Sequence, residues 1–334
     1  MKNILHHLTS KVTHSRPIAL LDLLLLGLAL SSAAQAQTQW FATVGAQTND
    51  KAGQALAFLP NEIWIHAGDR ITWTFQADEI HTVTFLTVDQ PRPFFGDGCP
   101  GFSTDPATYD GTSCVTTPPM VKGQTFTVIF PAAGNFKLVC LVHEDQTGLI
   151  HVLDRSLPLP HDQTFYNNQA TKQQKSLLAE TNHLPRDAAD KPCCMVTAGA
   201  GAISATAGGA NTASRVRFSD KTITILAGQT VEWRNLDPRL PHTVTFGVEP
   251  QDLADPSPDV TVDPDGARHA TIASPSDSTH SGFLLVAPED RLGLPQAPAG
   301  VTRFRVTFPN AGTYPYICAL HDTLGMVGTV IVNP

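Results

Sequence analysis

Five residues, HTVTF, stand at His81–Phe85 and again, letter for letter, at His242–Phe246. Upstream of each copy lies a matching stretch, EIWIHAGDRITWTF from Glu62 and TITILAGQTVEWRN from Thr222. Downstream, FTVIFPAAGNFKLVCLVH from Phe126 matches FRVTFPNAGTYPYICALH from Phe304. Three blocks in one order, twice over, describe a duplicated domain, so whatever the first copy forms the second must form too. Each block reads as strand: Ile71, Trp73 and Phe75 alternate with threonines, and Phe304, Val306 and Phe308 alternate with Arg305 and Thr307. Period-two alternation turns one set toward a core and the other outward. Gly68-Asp69, Gly134-Asn135, Ala227-Gly228 and Ala311-Gly312 supply the turns. The fold class expected is all-β, an antiparallel β-sandwich in each half.

The halves are placed at residues 37–155 and 193–334, joined by a linker over 156–192. The linker's middle, roughly Gln163 to His183, has helix-forming composition between Pro158 and Pro160 on one side and Pro185 and Pro192 on the other. VTAGAGAISATAGGANTAS could pass for a spacer, but it aligns with ATVGAQTNDKAGQALAF at the start of the first half. It is therefore expected to open the second domain as a strand and a loop.

Residues 1–36 have a basic start (Lys2, Lys11, Arg16), an apolar run over Ile18–Leu30 and small residues at Ala34-Gln35-Ala36. That is the pattern of a secretory signal peptide, and it predicts a periplasmic or secreted protein with no transmembrane segment after its removal. The chain carries a net charge of −8, and losing that segment makes it more acidic. This argues against nucleic acid as a partner and permits docking to a basic one.

Of the six cysteines, Cys140 and Cys318 sit in the two Cys-x-x-His stretches and are set aside for chemistry. The other four allow three pairings. Cys99 with Cys114 is preferred, because it would staple a Gly/Pro-rich loop. For Cys193 and Cys194 three outcomes stay open: a bond to each other, a bond elsewhere, or free thiols.

In each half a histidine opens the HTVTF strand, and a cysteine and a second histidine close the domain: His81, Cys140 and His143, then His242, Cys318 and His321. A sandwich can bring these distant segments together at one end. Two imidazoles and a thiolate with a weak axial group suit copper in both oxidation states, since the sulfur favours Cu(I) and the imidazoles accept Cu(II). Zinc would want a fourth strong ligand or a water. His66, His151, His161, His183, His269 and His280 are read as surface or structural histidines, and Trp64, Trp73 and Trp233 as strand core residues.

Both halves resemble the blue-copper cupredoxins of the plastocyanin/azurin family. The second matches closely, with Met326 standing where that family has its axial methionine and PNAGTYPYICALHDTLGMVGTVIV giving its strand, ligand loop and final strand. The resemblance implies a Greek-key β-sandwich in each half, one-electron transfer through a type 1 copper, two coppers per chain and redox partner proteins. It also implies that the second histidine's edge lies in an exposed apolar patch, with Leu320 and Met326 beside the route to partners.

The first half departs from this pattern. If Gly148-Leu149 corresponds to Gly325-Met326, Leu149 takes the axial place and cannot coordinate. An apolar shell without a thioether favours Cu(I), so the first site is expected to be the more oxidising. Competing functions are a two-domain nitrite-reductase type of enzyme, with a further copper held between subunits by His280, His269 or His151, and a copper storage or delivery protein. The absence of any His-x-His pair from residue 37 onward argues against a multicopper oxidase, and the scattered methionines Met120, Met195 and Met326 argue against trafficking. Oligomerisation stays open.

Overall fold

The computed structural model describes residues 37–93, 99–185, 194–285 and 301–334. The expected signal peptide and Cys193 lie outside them. Among the described residues no helix is long and apolar enough to cross a membrane.

An eleven-stranded sheet runs through both halves. At its centre Gly53–Leu59 and Gly209–Phe218 lie side by side, antiparallel, with Ala55 opposite Ala213 and Leu56 opposite Thr212. Outward on the first side come Gln39–Gln47, Arg70–Phe75, Thr125–Ile129 and Ala107–Thr108. Outward on the other come Met195–Thr206, Thr230–Leu236, Arg303–Thr307 and Arg268–Thr271, with Thr261–Val262 as an extra edge. Apart from that edge, the order reads the same in both directions from the seam, as a duplicated domain joined to its copy should. Each half closes its sandwich with a five-stranded sheet. One contains Glu62–His66, Thr147–Leu153 and Gly134–Val139, and the other Thr222–Leu226, Val327–Asn333 and Gly312–Ile317.

The sheets are mixed, where antiparallel ones were expected. Gln39–Gln47 runs parallel to Arg70–Phe75, and Thr147–Leu153 parallel to Glu62–His66, each with a counterpart in the second half. Alternation fixes which face a side chain takes; it carries no information on the direction of a neighbour reached by a crossover.

The alternation itself is obeyed. Ile71, Trp73 and Phe75, like Phe304, Val306 and Phe308, are almost completely buried. Trp73 packs on Phe85 and Trp233 on Phe246, both pairs with ring centroids 5.8 Å apart, so each half has its own aromatic core. Burying such a side chain contributes on the order of 1.5–3 kcal/mol. Trp64, half-buried, instead stacks on His151 at 3.8 Å.

The Ala/Gly-rich stretch that opens the second half is a strand–turn–strand hairpin, not a strand and a loop. Its second arm makes the seam. Every residue of the facing strand Gly53–Leu59 is buried, and Thr212, Ala213 and Ser214 are buried opposite Leu56, Ala55 and Gln54. The linker helix spans Gln163–Glu180, capped by Asp162, whose carboxylate accepts the Phe165 N–H. It lies over the seam. Leu177 joins Ala46, Ala55, Ala57, Leu59 and Ala213 in a third apolar cluster, and the Tyr166 hydroxyl accepts from the Trp64 N–H at 2.8 Å.

Cys99 and Cys114 are joined by a disulfide, Cα–Cα 5.4 Å. Cys194 is also disulfide-bonded, while Cys140 and Cys318 are free and buried.

Candidate metal centres

Each half brings its distant histidine and its Cys-x-x-His segment to one point. In the second half His242 bridges to Leu284 just before the HTVTF strand, and Cys318 follows the strand Gly312–Ile317. The Thr243 N–H donates to the Cys318 Sγ at 3.4 Å, and the Thr243 hydroxyl accepts from the Ala319 N–H at 2.8 Å. In the first half the Thr82 N–H donates to the Cys140 Sγ at 3.4 Å, and the Thr82 hydroxyl accepts from the Leu141 N–H at 2.8 Å. The threonine after each first histidine thus orients the thiol of the far segment, which accounts for the shared HTVTF.

His81, Cys140 and His143 form one compact group, and His242, Cys318 and His321 form another, all buried. Cys318 Sγ lies 3.8 Å from His242 Nδ1 and 3.4 Å from His321 Nδ1. Cys140 Sγ lies 3.7 Å from His143 Nδ1, which is 3.1 Å from His81 Nδ1. Ligands about 2.0 Å (nitrogen) and 2.3 Å (sulfur) from one ion would stand about this far apart, so the residues present fit a metal. Burial and neighbours act differently on the two sets. Burial alone would push the Cys140 thiol up, but the neighbouring His143 imidazole, with His81, holds it well below its ordinary value. Burial likewise opposes a charge on His143, yet the Cys140 sulfur and Glu79 raise it to about 10. In the second set burial holds both His242 and His321 below the usual imidazole range. A metal ion would take the place of the proton shared in the first set.

The first-half residue that corresponds to Met326 is Gln146 rather than Leu149. The Cys318 N–H donates to the Met326 carbonyl at 3.0 Å, and the Cys140 N–H donates to the Gln146 carbonyl at the same distance. Strand register agrees, because Val327 pairs with Ile317 and Thr147 with Val139, each just before the cysteine. Gln146 is fully buried and its Oε1 lies 3.2 Å from His143 Nδ1. Leu149 sits within its strand opposite Lys137, partly exposed. Aligning Gly148 with Gly328 rather than Gly325 would have located Gln146 in the sequence.

Two glycines also escaped the sequence reading. Gly45 and Gly199 lie at bulges in the opening strands, with φ of 66° and 78°. A Cβ on Gly45 would stand 2.4 Å from His81 Nε2, and one on Gly199 2.0 Å from His242 Nε2. Both nitrogens are buried without a hydrogen-bond partner. These rings are therefore held by contact with bare backbone, for which only glycine leaves space.

The second histidines do not reach an apolar surface patch, as the resemblance implied. His143 is 1% exposed and His321 3%. Their outer nitrogens face the buried carboxylate of Glu79 instead: His143 Nε2 is 3.4 Å from Oε1 and His321 Nε2 is 3.5 Å from Oε2. Burial opposes the Glu79 charge, but His321 and His143 hold its pKa down at about 2. Beside them Arg239 of the second half pairs with Glu144 and Asp145 of the first. Arg92 donates to the Cys140 carbonyl at 2.8 Å.

Of the other histidines singled out in the sequence, His183 is exposed and the remaining five have structural partners. His280 holds the Thr245 hydroxyl and the Leu253 carbonyl, and His269 holds Asp263 and Thr307. His151 holds Asn135 and Glu62, His66 the Leu157 carbonyl, and His161 stacks on Phe165.

Residues 205–333 match the family of copper binding proteins, plastocyanin/azurin family. Among solved structures, amicyanin from Paracoccus versutus (Thiobacillus versutus) matches at 17% identity and a TM-score of 0.25, over 36% of this chain and 87% of its own. A reduced Cu(I) form of an amicyanin mutant matches at 19% identity and a TM-score of 0.24, over 36% of this chain and 88% of its own. His242, Cys318, His321 and Met326 all fall within the matched span, so it is the second half of the chain that is similar to the copper-binding plastocyanin/azurin family, and the first half repeats its strands and its His–Cys–His group.

Proposed function

We propose that the protein is an exported electron carrier, periplasmic or secreted, with one type 1 copper in each half. The convergence of a buried cysteine sulfur and two imidazole nitrogens, twice in one chain, carries this reading. Copper, when bound, supplies a one-electron couple. The protein's part is to keep the donor set fixed in both oxidation states. The Thr82 and Thr243 N–H groups steady the two sulfurs, Gly45 and Gly199 wedge the first histidines, and complete burial keeps water from the ligands.

Gln146 and Met326 would make the loaded sites unequal. The amide oxygen of Gln146 is a harder donor than the Met326 thioether and favours Cu(II), so the first site would have the lower potential. This reverses the order expected with Leu149. Redox proteins are the partners, reached through surfaces other than the buried second histidines.

The test is a visible absorption spectrum of the oxidised, copper-loaded protein with copper counted per chain. Two equivalents and an intense sulfur-to-copper band are expected, with Cys140→Ser and Cys318→Ser each removing one. A colourless loaded protein would overturn the reading. A third equivalent with a separate paramagnetic signal would point to the nitrite-reductase type of enzyme instead.

A further inference from the structure

In each metal set the first histidine's outer nitrogen is backed by glycine, and neither it nor His143 Nε2 has a hydrogen bond, Glu79 standing at ion-pair distance from the latter. The other histidine of each set faces the same carboxylate. Glu79 comes from the first half, two residues before His81, and is only 7% exposed. It stands between the halves with one oxygen toward His143 and the other toward His321, at 3.4 and 3.5 Å. A metal-bound histidine commonly donates its other N–H to a carboxylate, which fixes the ring and raises its basicity. Here a single carboxylate is placed to serve two centres. Its counterpart in the second half is the apolar Leu240, two residues before His242, so the bridge is not a by-product of duplication. Bringing a charge here is costly unless it is paired, and the Arg239 pairs with Glu144 and Asp145 hold the halves together beside it.

We propose that Glu79 is a positioning residue shared by both metal centres, and that the His143–Glu79–His321 chain is the route by which an electron passes between the halves. The inference rests on the reading of both centres as copper sites. In the transfer Cu(I) of the first half becomes Cu(II) as Cu(II) of the second becomes Cu(I). One electron moves, and no covalent bond forms or breaks. Because both second histidines are covered by this contact, the internal hop replaces the surface exit that a single-domain relative of this fold would use.

The experiment uses full-length protein with both sites loaded. Glu79→Gln keeps the shape and removes the charge; Glu79→Ala removes the bridging atoms. In chelator competition Glu79→Gln should weaken copper binding at both sites, by roughly ten- to a hundredfold. After flash reduction, the phase reporting exchange between the two absorption bands should be lost in Glu79→Ala. Loss at both sites together with loss of that phase supports the proposal. Should both bands persist with unchanged affinities and an unchanged exchange phase, the shared role of Glu79 is wrong while the copper reading stands. Should neither band form in the unaltered protein, the copper reading itself fails. If the variants do not fold, nitrogen-15 spectra of the Cu(I)-loaded protein decide. Hydrogen-bonded, slowly exchanging Nε2–H signals from both His143 and His321 are expected, and rapid solvent exchange at either would overturn the bridge.

Discussion

With copper bound in the first half as proposed, Gln146 would set that site's character, because an amide oxygen holds Cu(II) better than a thioether does. Replacing it with methionine should raise the potential of the first site toward that of the second, so that a redox titration showing two steps collapses toward one. Changing Leu149 should leave both steps where they are, since its side chain lies in the strand beyond the site. The position was hidden because two glycines compete for the alignment. The loop from His143 to Gln146 is shorter than that from His321 to Met326, and only the strand register after it shows that Gly148 and Gly328 correspond. The ligands with chemical identity, two cysteines and four histidines, were legible from spacing. Gly45 and Gly199 were not, because their role is to be absent where a ring must sit. Gly199→Ala imposes a strained backbone costing about 1–2 kcal/mol and drives a methyl group into His242. It should abolish the second site's absorption and spare the first, and Gly45→Ala should do the reverse.

The linker helix is an element whose composition announced it but whose purpose lay in a tertiary contact. Only Tyr166 and Leu177 of its residues are buried, so no apolar stripe in the sequence shows where it docks. Leu177 closes the alanine-rich seam cluster, and Leu177→Ala should cost about 2–5 kcal/mol, read as a lowered midpoint in urea. Tyr166 fastens the other end of the helix through the Trp64 backbone. Burial raises its hydroxyl from 10.0 to about 12. Below pH 10 that hydroxyl is protonated in both folded and unfolded chains, and its bonds contribute in full. Above pH 10 the unfolded chain releases its proton first, so this contribution fades as pH rises through about 12. Tyr166→Phe should be less stable by about 1 kcal/mol at neutral pH and should lose stability less steeply between pH 10 and 12, as measured by denaturation at each pH.

At the scale of the whole molecule the duplication was plain in the sequence and the union of its copies was not. The sequence reads as two repeated domains joined by a linker, with no sign of how they meet. The structure instead pairs Gly53–Leu59 with Gly209–Phe218 and makes one sheet of both sandwiches. Strand pairing between halves leaves no sequence mark beyond small residues, and these equally describe a spacer. The consequence is cooperative. Either hairpin exposed alone would offer a row of unpaired backbone groups and the bare seam cluster, so opening one half uncovers the other. Calorimetry of the metal-free protein should therefore show a single unfolding transition, with the calorimetric and van't Hoff enthalpies equal. Binding to the folded state alone raises the stability of whatever unfolds together. Copper loading of Cys140→Ser, which can fill only the second site, should then shift the whole transition upward. Two transitions, of which only one moves with copper, would mean that the seam does not couple the halves.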